Sequence, residues 1–236
     1  MTDCPSIEPL RSYYAGKQFE YGWASLCWMN LPENLEGLTI LDISCRRGKG
    51  VFKLSDRVGA QGLAIGLDWA ADYIQEAQQK SERAWQDTGL PRNNMQFVVG
   101  YPEALSQAGF ADASVDLVYI NSVINLTFDP AVALGEFARV LKPGGLLVLE
   151  GVTANIKRDP SVVEAARAIG NSVQSAPEKQ EFLGWIAQAG LTVEAAFEEH
   201  AVFADAGYKA DYKAQTVESD EPISFTAAVF HARKPA

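Results

Sequence analysis

Short, almost continuous aliphatic runs recur along the chain between helix-length amphipathic stretches, and this alternation leaves few architectures open. The runs are Thr39 to Ile43, Leu63 to Leu67, Gln96 to Val99, Leu117 to Ile120 and Leu146 to Leu149. A strand covered on both faces reads this way, whereas a strand with one wet side alternates apolar and polar residues. Between the runs, Lys49 to Val58, Ala71 to Thr88 and Ala131 to Leu141 carry apolar residues at helical spacing. Asp129-Pro130 supplies a cap and first-turn signal for the third. Successive βαβ units of this kind predict an α/β fold built on a mostly parallel sheet, with helices covering it. The C-terminal part predicts a helix over Pro177 to Gly190, a strand from Leu191, a polar stretch from Asp205 to Glu221 and a final strand over Ile223 to Ala232.

Residues 1–38 break the rhythm. They hold Tyr13, Tyr14, Phe19, Tyr21, Trp23 and Trp28, an aromatic density that predicts a helical cap, either packed on the sheet or closing over a ligand. We therefore expect a single domain in three parts: a cap over 1–38, a cofactor-binding core over 39–152, and a C-terminal half over 153–236 that completes the sheet and the substrate site. At 236 residues a chain buries roughly 70–75% of its unfolded surface, enough for a self-sufficient core.

Charge and composition narrow the function. The formal net charge of -10 opposes a phosphate backbone and no basic stripe interrupts it, so nucleic acid is not expected as a partner. No apolar run is long enough to span a bilayer, and the first residues lack a basic segment followed by an apolar one. A cytoplasmic protein without membrane insertion is the expectation. Cys4, Cys27 and Cys45 do not have zinc-framework spacing, and His200 and His231 are the only histidines, so no metal site is expected.

In open α/β sheets ligands lie outside the carboxyl ends of the strands, which directs attention to the loops after each run. The first reads Asp42-Ile43-Ser44-Cys45-Arg46-Arg47-Gly48-Lys49-Gly50: an acidic strand end, a turn and a helix start. Gly48 and Gly50 let the backbone approach a ligand, and a helix N-terminus favours an anionic group. The second run ends at Asp68, about 20 residues beyond the turn, where an acid accepts both hydroxyls of a ribose. Trp69 beside it either covers an adenine face or packs. The third and fourth runs lead into Gly100-Tyr101-Pro102-Glu103 and Asn121-Ser122-Val123-Ile124-Asn125, whose polar groups face the cleft. Asp116 is expected to hold a strand entrance, and Lys142-Pro143-Gly144-Gly145 to make a sharp helix-to-strand turn.

Ile40-Leu41-Asp42-Ile43, Ile65-Gly66-Leu67-Asp68, Ser114-Val115-Asp116-Leu117-Val118 and Arg139-Val140-Leu141-Lys142-Pro143-Gly144-Gly145 together resemble class I S-adenosylmethionine-dependent methyltransferases over about residues 38–150. Tyr119-Ile120-Asn121-Ser122-Val123-Ile124-Asn125-Leu126 and Gly100-Tyr101-Pro102-Glu103 are similar to segments of the arsenite methyltransferase-like group within that class. The resemblance implies a Rossmann-like methyltransferase fold: a doubly wound, mostly parallel seven-stranded sheet with helices on both faces. It implies S-adenosylmethionine as cofactor and methyl transfer to the oxygen, nitrogen or sulfur of a small molecule. Asp42, Ser44, Arg46, Gly48 and Gly50 would shape the methionine end, Asp68 and Trp69 the ribose and base, Tyr101, Pro102 and Glu103 the adenine border, and Asn121 the transferable methyl. Tyr14, Ser122 and Asn125 would meet the acceptor, and Tyr13, Tyr14 and His200 are the candidates for a base.

The chain departs from the family's pattern in two places. Ser44 and Arg46 stand where the first turn carries glycine, which requires either a rebuilt turn or a strained backbone costing roughly 1–2 kcal/mol. The cysteines that hold arsenic in the family correspond to Ser122 and Ser172, and hydroxyls are poor ligands for a soft centre. A non-catalytic or altered-cofactor protein on the same fold is the alternative that Ser44 and Arg46 raise.

Overall fold

The computed structural model describes residues 6–15, 17, 29–202 and 223–236, with the side chains of 198–200 left aside. Helix α1 (Ile7–Tyr14) precedes β1 (Thr39–Ile43), α2 (Lys49–Val58), β2 (Leu63–Asp68), α3 (Ala71–Thr88) and β3 (Met95–Val99). The second half comprises β4 (Val115–Asn121), α4 (Pro130–Val140), β5 (Leu141–Ala154), α5 (Pro160–Ala168), α6 (Lys179–Gln188), β6 (Thr192–Val202) and β7 (Phe225–Arg233). They form one seven-stranded sheet in the order β3-β2-β1-β4-β5-β7-β6. The pairs from β3 to β5 are parallel, while β7 runs antiparallel between β5 and β6.

The continuous apolar runs have the reason the sequence suggests, because alternate residues of each strand feed different cores. Leu41, Ile65, Val118 and Leu147 pack with Leu134, Phe137 and Phe182 on the α4 and α6 face. Their neighbours Ile40, Ala64, Leu117 and Val148 pack with Val51, Leu54 and Ile74 on the α2 and α3 face. Helices therefore cover both faces, and the doubly wound, mostly parallel class is what the chain adopts. Strand order reverses between β1 and β4, both parallel and paired in register from Ile40 opposite Leu117 to Ile43 opposite Ile120. Here two chain crossovers leave in opposite directions and the carboxyl ends part, which makes the crevice a ligand needs.

Several elements differ from expectation for identifiable reasons. Lys142-Pro143-Gly144-Gly145 is not a plain turn: β5 begins at Leu141 opposite Val115, and the register then jumps to Leu117 opposite Leu146. The irregularity is accommodated by Gly144 at φ 76°, whose N–H donates to the Lys234 carbonyl at 3.0 Å. At its other end β5 runs to Ala154, because β7 pairs with it along its length from Leu146 to Ala154. Helix α5 was not foreseen, although Asp159-Pro160 repeats the signal that announced α4. The Asp129 side chain accepts from the N–H groups of Ala131 and Val132, and that of Asp159 from Ser161. Of the expected cap, α1 and residues 29–38 are described; Phe19, Tyr21, Trp23, Trp28, Cys4, Cys27 and the stretch from Asp205 to Glu221 lie outside the described residues. No helix among the described residues is long and apolar enough to cross a membrane.

Asp116 lies within β4 rather than before it. Its carboxylate accepts the Thr39 N–H at 2.9 Å and the Lys142 ammonium at 2.8 Å and 2.9 Å, tying the first residue of β1 to β4 and β5. Asp116→Ala leaves the Thr39 donor and the ammonium without that acceptor. Denaturant unfolding should show a loss of about 1–3 kcal/mol; an unchanged midpoint would remove Asp116 from the structural role.

Candidate functional site

A cavity of about 360 Å³ opens at the carboxyl ends of β1, β2 and β4. Its wall is built first by the turn from β1 into α2. Asp42 points into it, 5% exposed, because residue 50 has no side chain: a Cβ at Gly50 would overlap the Asp42 carboxylate. Gly48 works differently. It is left-handed at φ 82°, and a Cβ there would meet the Phe52 and Phe97 rings at 2.9 Å, so its smallness lets α2 pack rather than admitting a ligand. The turn is not rebuilt around Ser44 and Arg46; both take positive φ, at 59° and 51°, the strained alternative.

That backbone has a consequence for Asp68 at the end of β2. The left-handed Arg46 presents its N–H to Asp68 Oδ2 at 2.9 Å, while the Ala70 N–H reaches Oδ1 at 2.9 Å. One donor on each oxygen fixes the plane of the carboxylate and leaves acceptor capacity on both. Burial is the main cause that raises the Asp68 carboxyl to about 6, against the lowering effect of those two N–H donors. Asp42 is raised further, to about 8, by burial first and then by the charges of Asp68 and Glu150. The same cavity is also lined by Arg46, Arg47, Lys49 and Lys53. Arg47 is held by Glu76 at 3.3 Å and lies over the Tyr73 ring at 4.1 Å. The lining thus combines buried acids with basic residues.

Trp69, Asn121 and Ser122 also line the cavity. Ser122, at φ 54°, donates its N–H to the Glu150 carbonyl of β5 at 2.7 Å just past the end of β4. Other expected residues are elsewhere. Tyr101, Pro102 and Glu103 do not line the cavity; Pro102 and Glu103 are buried under α1. Tyr14 packs on the Trp69 ring at 4.5 Å and stacks on Tyr101 at 5.4 Å, and its hydroxyl donates to Glu103 Oε1 at 2.9 Å. Burial pushes the Tyr14 hydroxyl well above its ordinary range. Tyr13 donates to the Leu126 carbonyl at 2.9 Å and is raised to about 12, burial again being the main cause. Both hydroxyls are committed donors, which removes them as bases. Asn125 is also corrected: its Nδ2 donates to the Val152 and Ser172 carbonyls at 2.8 Å and 3.0 Å, bracing β5 against the segment after α5. The His200 backbone lies in the edge strand β6, separated from β4 by β5 and β7; its side chain is outside the described set.

Sequence reasoning missed Tyr119 and Glu150. The Tyr119 hydroxyl donates to Glu150 Oε1 at 2.7 Å, and the same oxygen accepts the Met29 N–H at 2.8 Å, which draws the incoming segment against the cavity. The signal was present: Tyr119 stands two residues before Asn121 and so shares its face of the strand.

A methyltransferase-domain model matches residues 34–190, spanning β1, β2 and β4, whose ends shape the cavity. The chain belongs to the methyltransferase-domain family. It is 34% identical over 131 residues to the arsenite methyltransferase of Homo sapiens, a match covering 56% of the chain and 35% of that protein. It is 36% identical over 115 residues to the demethylmenaquinone methyltransferase of Lactococcus lactis, covering 49% of the chain and 42% of that protein. The chain therefore spans well under half the length of these relatives. A crystal structure of an arsenic(III) S-adenosylmethionine methyltransferase from Chlamydomonas reinhardtii superposes with a TM-score of 0.78 at 27% identity, covering 96% of the chain and 73% of that structure.

These relatives point to S-adenosylmethionine as the cofactor, and the cavity's chemistry fits it. Asp68 keeps acceptor capacity on both oxygens for a diol, and the glycine cradle at residue 50 keeps Asp42 open to a cation. Two pH effects follow. A carboxylate must be ionised to accept two hydroxyls, so affinity for S-adenosylhomocysteine should weaken as pH falls through about 6, by up to about tenfold per unit. Calorimetric titration from pH 5 to 8 should show this, with the slope gone in Asp68→Asn. For Asp42 the folded value of about 8 lies above the unfolded value of about 3.9, so the ligand-free protein loses stability as pH rises between the two. Asp42→Asn should raise the melting temperature, by an increment that grows from pH 5 to pH 8 and then levels; a pH-independent increment would refute the assignment.

Proposed function

We propose that the chain transfers a methyl group from S-adenosylmethionine to an oxygen, nitrogen or sulfur nucleophile of a small molecule. The observation that carries this reading is the pair of buried acids, Asp42 and Asp68, lining one cavity with Arg46, Lys49 and Lys53 at the β1/β4 switch point. Asp68 would hold the ribose, Asp42 a cationic group, Arg46 and the α2 lysines the carboxylate, and Trp69 the base. The bound sulfonium supplies a methyl carbon with a good leaving group. The chain's own contribution is then alignment: Asn121 and Ser122, at the end of β4, orient an acceptor, and the cavity walls limit the water around it. Proximity of this kind accounts for much of the rate of a bimolecular step.

No hydroxyl of Tyr13 or Tyr14 serves as base, so this reading favours an acceptor that reaches the site already nucleophilic or loses its proton to solvent. The acidic net charge supports a small-molecule acceptor rather than a nucleic acid, and a cytoplasmic setting suits the few cysteines. The alternative of a protein that keeps the fold without catalysis rests on Ser44 and Arg46, which hold a glycine conformation at an energetic cost; Arg46 nevertheless uses that conformation to bond Asp68.

Calorimetry should find micromolar binding of S-adenosylhomocysteine. In Asp68→Ala it should weaken by about 1.5–3 kcal/mol, the range of a charged hydrogen-bonding group. Label transfer from deuteromethyl S-adenosylmethionine to small acceptors, read by mass, then tests catalysis. Tight cofactor binding with no transfer to any acceptor would favour the non-catalytic alternative. Arsenite should yield no methylated product, because hydroxyls stand at 122 and 172; methylated arsenic formed by the purified chain with added thiol would overturn that expectation.

A further inference from the structure

Among the described residues, buried side-chain polar atoms without a partner concentrate in one place. Apart from Glu103 Oε2, they are Asn125 Oδ1, Asn171 Nδ2, Ser172 Oγ, both amide atoms of Gln174, Ser175 Oγ and all three guanidinium nitrogens of Arg158. Each of these residues is at most 5% exposed. Folded proteins pair buried polar groups almost without exception, because each one left unmade costs about 1–3 kcal/mol, and more when charged. An arginine has no neutral form to retreat to. Its neighbour in sequence does not relieve it, since Asp159 turns to cap α5.

The cluster meets the cavity at one residue. Ser172 belongs to both, lining the cavity wall while its hydroxyl has no partner. Asn125 bonds the Ser172 carbonyl and presents its own free oxygen beside it. Further along, Val173 and Ala176 pack in one apolar cluster with Phe225, and the Arg158 guanidinium lies 5.0 Å over the Phe225 ring. The order is therefore cofactor cavity, Ser172, uncharged donors and acceptors, and then one buried cation seated on an aromatic face.

We propose that this cluster is the acceptor subsite, and that it takes a small molecule bearing a carboxylate, which Arg158 binds. The planar fork of a guanidinium matches a carboxylate with two parallel hydrogen bonds. Gln174, Asn171 and Ser175 complete the pairing of the polar groups next to it. A carboxylate held there directs the remainder of the molecule past Ser172 toward Asn121 and Ser122. The identity of the nucleophile belongs to the methyl-transfer reading, on which this proposal rests; the carboxylate is what the cluster adds.

The test uses the full chain saturated with S-adenosylhomocysteine and titrated with acetate, malonate, succinate and benzoate, each beside its primary amide. Binding is read by saturation-transfer NMR and thermal shift. At least one acid should bind ten times or more tightly than its amide, and that preference should vanish in Arg158→Gln while affinity for S-adenosylhomocysteine stays unchanged. Equal binding of acid and amide, no binding of any acid, or a preference that survives Arg158→Gln would each overturn the subsite. If Arg158→Gln does not fold, Arg158→Lys keeps the charge and removes the fork, and a lowered preference is then expected; the acid-to-amide contrast in the unaltered chain decides without either variant. Absence of S-adenosylhomocysteine binding would overturn the methyl-transfer reading itself, whereas indifference to the acids with that binding intact removes the carboxylate subsite alone.

Discussion

Two carboxylates buried at the ends of adjacent parallel strands are the constraint around which this structure is arranged. Asp42 and Asp68 are both withdrawn from water, which raises both toward neutrality, and the Asp68 charge raises Asp42 further. Such a pair is costly to keep, and the surrounding backbone shows what keeping it entails. Residue 50 must lack a side chain so that the Asp42 carboxylate has room. Arg46 must adopt a left-handed conformation that arginine disfavours, so that its N–H meets Asp68. Strain and unfavourable burial gathered in one turn are the usual mark of a site whose geometry serves a ligand rather than stability.

The same constraint explains which parts of the molecule were legible in the sequence. Parallel strands covered on both sides must be apolar throughout, so their cores appear as runs, and five of the seven strands announced themselves in that way. The acids at their ends stood out because a charge closing an apolar run has no packing reason to be there. Where the sequence misled, a tertiary partner decided. Lys142 to Gly145 reads as a turn by local chemistry, and pairing of Leu141 with Val115 of β4, together with the hydrogen bonds of Gly144 and Gly145 to Lys234, draws it into an irregular strand. Tyr101, Pro102 and Glu103 follow a strand end as cleft residues should, yet α1 lays Tyr14 over them. Asn125 sits in a loop at the site, and only the chain returning 47 residues later, at Ser172, turns it into a brace. Long-range partners of this kind leave no local pattern.

The two halves of the site also differ in how they are finished. In the cavity the polar groups are oriented: each Asp68 oxygen has a backbone donor, Arg47 is held by Glu76 and Tyr73, and Glu150 is bonded by Tyr119 and Met29. Beyond Ser172 the buried groups have no such partners. A family that shares one cofactor and varies its acceptors would be expected to look like this, with one wall fixed by the common ligand and the other rewritten from chain to chain.

That difference bears on how one frame can present different acceptor chemistry. Ser122 and Ser172 occupy backbone positions set by β4, β5 and the Asn125 brace, so exchanging a thiol for a hydroxyl alters what is bound and leaves the frame as it was. A hydroxyl offers hydrogen bonds where a thiolate offers a soft lone pair, and the polar side chains gathered behind Ser172 extend the same change in character. The buried guanidinium goes further, because it has no use in a core and cannot discharge itself. Its position behind the serines fits the proposed carboxylate subsite, a polar surface that an oxyanion would complete on a frame set by the strands.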